Sequence, residues 1–303
     1  MQKRKTVEYG KYGYFFILPF FIIFLIFQFY PLISTFWTSF DVIEKTGRNN
    51  ETLVRGFGNF SKFVFTKDSE IWKSLGVTVL LWLSNFAPQI LFSLLLAAWF
   101  TNQHAKLKGQ GAYKVIMYMP NIITAATIAV LFFNLFAQTG PLGQIFTKIN
   151  LNKGWWSFAI IAFIQFWMWY GNTMIVLIAG IMGISPSLYE AAMVDGANGW
   201  QQFRMITIPL LKPILQFTMV TSAIGGLQMY DIPQLFNKGD PQIVTASGAS
   251  FFSTKTVVMV IKQYIIGTSA NLGRASAYSV MLFFVTLVVS MIFYKATSEK
   301  KSK

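Results

Sequence analysis

Residues 184–213 read ISPSLYEAAMVDGANGWQQFRMITIPLLKP, a segment punctuated by serine, glycine and proline that lies between two long uncharged apolar runs. Its helix signals are dense. Ser185 can be an N-cap with Pro186 at the first helical position, or Ser187 can cap with Glu190 three residues on as a capping box. Ala191 and Ala192 favour helix, and Gly196 is placed to end it in a left-handed conformation. A second short helix follows through Trp200, Phe203 and Ile206, before Pro209 and Pro213 mark entry into the next apolar run. The segment therefore predicts a preformed helix-turn-helix knob, mounted on whatever the flanking runs are.

The flanking runs, about 155–182 and 213–230, are of the length a helix needs to cross hydrocarbon, which is roughly 20 residues. Four more windows free of Asp, Glu, Lys and Arg occur at about 14–36, 75–100, 115–136 and 275–294. Together they predict an all-α membrane protein of six transmembrane helices, with residues 184–212 as a cytoplasmic loop and 1–303 as a single transmembrane domain. The first run continues past Pro31 without a small-residue cleavage site, so it is expected to remain as an anchor. Composition agrees: 54% of residues are hydrophobic, 12% are charged and mean hydropathy is +0.50.

The net charge of +14 points to anionic headgroups and cytoplasmic loops rather than to nucleic acid. Lys3, Arg4, Lys5 and Lys11 precede the first run, Lys106, Lys108 and Lys114 mark the second connection, and Lys295, Lys300, Lys301 and Lys303 end the chain. The first external segment instead mixes Lys45, Arg48, Arg55, Lys62, Lys67 and Lys73 with Asp41, Glu44, Glu51, Asp68 and Glu70. Both termini are expected in the cytoplasm.

There is no cysteine, and the single His104 cannot build a multi-histidine metal site. Catalytic residues and bound metals are expected to be none. The six runs carry no ionisable residue in their interiors, where proton- or sodium-driven carriers commonly place one. No phosphate-binding glycine loop precedes Lys73-Ser74 or Lys255-Thr256. If the chain moves a solute uphill, the energy comes from another polypeptide, and the knob is a surface that can receive it.

The knob resembles the Glu-Ala-Ala loop of binding-protein-dependent ABC import permeases, with Glu190, Ala191, Ala192, Asp195, Gly196, Ala197, Ile206, Pro209 and Pro213 at the motif's spacing. Leu18-Pro19, Tyr30-Pro31, Gly58-Asn59-Phe60, Met119-Pro120 and Ser276-Ala277-Tyr278-Ser279 look like the sugar-transporting branch of that family. The resemblance implies the type I importer fold. It also implies a second homologous permease subunit, dimeric ATPase subunits carrying ATP and Mg, and an extracytoplasmic sugar-binding protein, in a bacterial cytoplasmic membrane. In the family the short helix of the loop docks in the ATPase, a role that falls here on Glu190, Ala191, Ala192, Asp195, Gly196 and Ala197. This chain would bind no cofactor itself. Its longest external segments, about 37–74 and 231–274, are too short for the large external domain of some maltose-type subunits, so solute capture is expected to rest on the binding protein.

Polar stripes cross the apolar runs. Gln165, Trp169 and Asn172 stand at i, i+4 and i+7 in the fourth, with Tyr170 alongside; Thr218, Ser222 and Gly225 share a face of the fifth, with Thr221 and Gln228 adjoining. Asn85, Gln89 and Ser93 surround Pro88 in the second, and Asn121, Thr124 and Thr127 follow Pro120 in the third. Two roles stay open for each: hydrogen-bonded glue between membrane helices, or contact with a neutral polyhydroxylated solute, whose hydroxyls amides satisfy and whose C–H faces rings cover. The stripe expected to line a solute path is Asn85, Gln89, Asn121, Gln165, Trp169, Tyr170, Asn172, Ser222 and Gln228. Trp167, Trp155 and Trp156 read as packing or interface residues. Competing expectations are a glycerol-phosphate-type solute, against which stands the lack of Arg and Lys in the runs, and a self-sufficient secondary carrier.

Overall fold

A computed structural model of the chain describes residues 10–46, 50–66, 69–102, 108–244, 250–267 and 270–297. His104 and the charged residues Lys3, Arg4, Lys5, Arg48, Lys67, Asp68, Lys106, Lys300, Lys301 and Lys303 lie outside that set. Among the described residues five helices are long and apolar enough to cross a membrane, and a sixth crossing results if one bent helix pair is a single span.

The chain divides into two compact units. The first comprises residues 1–67 and 263–281. In it, α1 (Gly10–Phe24) passes through a π-helical turn at Leu25–Phe29 into α2 (Tyr30–Thr38). Pro31 explains the turn: it has no N–H for the carbonyl four residues back, and the Tyr30 N–H reaches Leu25 O instead. A short antiparallel hairpin, β1 (Asp41–Thr46) with β2 (Asn50–Arg55), follows. The buried Asn59 side chain donates to Ser39 O at 3.0 Å and Asp41 O at 2.9 Å, so this amide of the Gly58-Asn59-Phe60 motif ties the helix exit to the hairpin.

The second unit comprises 68–262 and 282–303. Its spine is α3 (Glu70–Thr101), unbroken through Pro88, packed along α7 (Gly154–Met182). Leu81, Ile128, Ile161 and Ile164 fill one core cluster, and Ala97, Met174, Leu177 and Leu211 another. Leucines and phenylalanines on the outward faces, such as Leu91, Leu95 and Phe163, are exposed, as expected where the surrounding solvent is lipid. Association of such helices rests on close packing rather than on apolar transfer. Gly226 of α11 (Lys212–Leu227) illustrates it: an added Cβ would stand 2.0 Å from the Trp82 ring of α3.

Residues 115–136, expected as one helix, form two. α4 (Gln110–Ile122) ends at Ile123 and Thr124, both extended with ψ of 138° and 144°, and α5 (Ala125–Phe136) begins anew. Pro120 removes a backbone donor inside α4, and the Thr124 hydroxyl accepts from Thr127 N to cap α5. Beyond α5 lies the short α6 (Pro141–Ile145). The knob contains α8 (Pro186–Val194), α9 (Gly199–Gln202), a π-helical turn at Phe203–Thr207 and α10 (Ile208–Leu210). After α11 come α12 (Asp231–Asn237), a second hairpin of β3 (Gln242–Val244) and β4 (Ser250–Phe252), α13 (Val257–Ile266) and α14 (Leu272–Thr297). Among the described residues the segments expected as external loops thus hold two small hairpins, and the longer elements are helices.

Candidate functional site

The knob is braced by its own hydrogen bonds. Ser185 occupies the N-cap position of α8 with Pro186 first in the helix, so the alternative start at Ser187 is not taken; the Ser185 and Ser187 hydroxyls pair with each other at 2.8 Å. Asp195 closes α8, and Gly196 has φ +79°. Gly196 N–H donates to Met193 O and Ala197 N–H to Ala192 O, the two bonds of a Schellman ending. Asn198 then starts α9 with a full capping box: its carboxamide accepts from Gln201 N while Gln201 accepts from Asn198 N. Asn198 and Gln201 stand at capping-box spacing in the sequence, so this cap is legible there. Finally Tyr189 Oη and Thr207 Oγ1 lie 2.9 Å apart, joining the first helix to the π turn. Glu190, Ala191, Ala192, Asp195, Gly196 and Ala197 therefore sit together on or at the end of one braced short helix, and Glu190 makes no ion pair among the described residues.

A cavity of about 490 Å³ opens between α3, α7 and α11. From the expected stripe it gathers Asn85 and Gln89 of α3, Gln165, Trp169 and Asn172 of α7, and Ser222 and Gln228 on and just past α11. Asn121 and Tyr170 are not among its walls. The Asn121 carboxamide donates to Met168 O, joining α4 to α7, and the Tyr170 ring packs on Phe92 and Phe166. Both are helix-to-helix packing, one of the two roles left open above.

Hydrogen bonding divides the gathered residues. Gln89 donates to Thr173 Oγ1 at 2.7 Å, Asn85 to Leu81 O, and Ser222 Oγ accepts from the Trp82 indole at 3.0 Å. These side chains brace the wall. The amides of Gln165, Asn172 and Gln228 engage no protein partner among the described residues. Gln165 is only 8% exposed, so an unpaired amide there faces the cavity and little else. Trp169 is 45% exposed, whereas Trp167 packs on Phe132 at 5.5 Å.

Trp82, Tyr230 and Asp231 are among the wall residues outside the expected stripe. Trp82 continues the Asn85, Gln89 stripe at helical spacing. Tyr230 is the last residue of the fifth apolar run and Asp231 lies just beyond it, outside a run defined by freedom from charge.

Residues 77–301 match the family described as "Binding-protein-dependent transport system inner membrane component". The chain is 28% identical over 301 residues to the lactose transport system permease protein LacF of Rhizobium radiobacter, covering 97% of this chain and 96% of that protein. It is 28% identical over 299 residues to the trehalose/maltose transport system permease protein MalF of Thermococcus litoralis, covering 94% and 93%. A subunit of a bacterial ABC transporter involved in the import of the acidic polysaccharide alginate superposes with a TM-score of 0.74 at 22% identity, covering 95% of each chain. That last likeness concerns the fold alone.

Proposed function

Because the chain belongs to the family of binding-protein-dependent transport system inner membrane components, we propose that it is the permease subunit of an ATP-driven importer that carries a neutral sugar or oligosaccharide by alternating access. It is a multi-pass membrane transport component and not an enzyme. Under this reading it pairs with a second homologous permease and receives solute from an extracytoplasmic sugar-binding protein. Both termini and residues 184–212 face the cytoplasm, where ATP and Mg are held by dimeric ATPase subunits. Glu190, Ala191, Ala192, Asp195, Gly196 and Ala197 form the contact with them.

The observation that carries the substrate class is the wall of the cavity. Free amides at Gln165, Asn172 and Gln228 can each donate to and accept from a hydroxyl, the Trp169 ring offers an apolar face, and among the described residues neither Lys nor Arg lines the space. A glycerol-phosphate-type anion calls for such cations. The names of the lactose and trehalose/maltose relatives point the same way. The acidic cargo of the alginate importer does not carry over, since a wall without basic groups suits it poorly.

The test is uptake by the complete importer in liposomes loaded with ATP, with lactose, maltose, trehalose and glycerol 3-phosphate supplied in turn alongside the binding protein. Accumulation of at least one neutral sugar in preference to glycerol 3-phosphate is expected. Preference for the phosphate would overturn the substrate class, and sugar accumulation by this chain alone in ATP-free liposomes would overturn the importer itself.

A further inference from the structure

Among the described residues the cavity is lined by one carboxylate, which the foregoing reading leaves unused. Asp231 is the first residue of α12, three positions past Gln228, and it lines the same space as Gln165, Trp169 and Asn172. Its carboxylate takes part in no hydrogen bond or ion pair among the described residues. Two lysines of the same unit are held by other groups: Lys262 Nζ lies 4.3 Å over the ring of the adjacent Tyr230, and Lys255 Nζ is 2.7 Å from Glu70. A carboxylate with no hydrogen-bond or ion-pair partner among the described residues therefore lines the same cavity as three unpaired amides and an open indole.

The chemistry of that set is directional. Each amide both donates and accepts, so it holds a hydroxyl in either sense, whereas an ionised carboxylate only accepts, through two oxygens side by side. Two adjacent hydroxyls on a pyranose ring present two O–H donors at matching separation, and bonds to an ionised acceptor are roughly twice as strong as neutral ones. The same charge repels an acidic solute, so one side chain both attracts the right cargo and opposes the wrong one. Resting on the sugar reading above, we propose that Asp231 is a specificity-determining residue of the solute path, accepting a pair of vicinal hydroxyls from a neutral sugar. A competing role is local: an acid in the first turn of α12 complements the helix dipole. That role would not touch transport once the assembled complex is counted.

The experiment compares Asp231→Asn, which keeps size and removes charge, with Asp231→Glu, which keeps charge. Each is assembled in the complete importer, and initial uptake of lactose, maltose and trehalose is measured at low concentration per assembled complex, beside the thermal midpoint of the complex. Asp231→Asn is expected to lower uptake of the transported sugar about tenfold or more, an amount typical of losing a charged hydrogen-bond acceptor, while Asp231→Glu retains a substantial part. Wild-type uptake of every sugar by Asp231→Asn, with or without a lower thermal midpoint, overturns the proposal and leaves Asp231 with α12 alone. Equal loss in both variants also overturns it, because the charge would then be irrelevant. Failure of the underlying sugar reading shows separately: the unsubstituted complex would accumulate no neutral sugar, and this proposal would fall with it.

Discussion

At Gly196 the backbone stands at φ +79°, a region where a β-branched residue is a steric outlier costing on the order of 1–2 kcal/mol. Gly196→Val is expected to unseat the end of α8 and lower ATP-driven uptake several-fold while membrane insertion, followed by fractionation, stays normal. Wild-type uptake with the ATPase still bound would show that the coupling surface is elsewhere. The tryptophans allow a sharper comparison. Trp169 and Trp167 are two residues and so about 160° apart around α7, which puts the first on the cavity and the second on Phe132. Trp169→Ala is expected to weaken transport by about 2 kcal/mol, roughly thirtyfold, where truncation removes a central contact. Trp167→Ala should instead reduce yield and thermal stability with little change in uptake per assembled complex. Unchanged kinetics for Trp169→Ala with every transported sugar would assign that face to packing. Sequence alone gave the stripe its phase, because helical spacing is fixed, but it could not sort glue from contact. Asn121 and Gln165 are both uncharged amides in apolar helices, and only the position of Met168 O separates them.

Among the elements, the knob was the most legible, since its signals are local: Ser185-Pro186 at the start, Gly196 at the turn, Pro209 beyond. The break at Ile123 and Thr124 was not, because Pro120 is compatible with a kinked helix as well as with two helices, and tertiary bonds decide which. Also hidden was the clasp between Tyr189 and Thr207, 18 residues apart and visible only when α8 and the π turn come together. A hydrogen bond of this kind contributes about 1 kcal/mol net, so its loss should loosen the knob without unfolding it. We expect Tyr189→Phe and Thr207→Val to retain assembly with the ATPase yet transport less sugar per ATP hydrolysed, and Thr207→Ser, which keeps the hydroxyl, to behave as wild type. Wild-type transport-to-hydrolysis ratios in both of the first two variants would show that the clasp is dispensable.

For the molecule as a whole, composition and six charge-free windows carried the membrane reading, and the 225 residues from 77 to 301 carry the family. The cavity lies where three helices meet, so no single stretch of sequence announces it. If its charge balance governs cargo, the complete importer should take up a neutral disaccharide in preference to a derivative oxidised to the uronic acid, measured by competition for radiolabelled sugar. Equal competition by the acid would show that the wall does not filter by charge. The apolar helix from Tyr12 to Thr38 has a different consequence, for its need of partners. None of its most apolar window is buried, whereas Tyr278 of α14 is wholly enclosed. A helix whose whole apolar surface is open can rest in hydrocarbon on its own composition. α14 keeps Tyr278 enclosed only while the residues packed on it stay in place, so loosening those neighbours should disturb α14 and leave the open helix where it is.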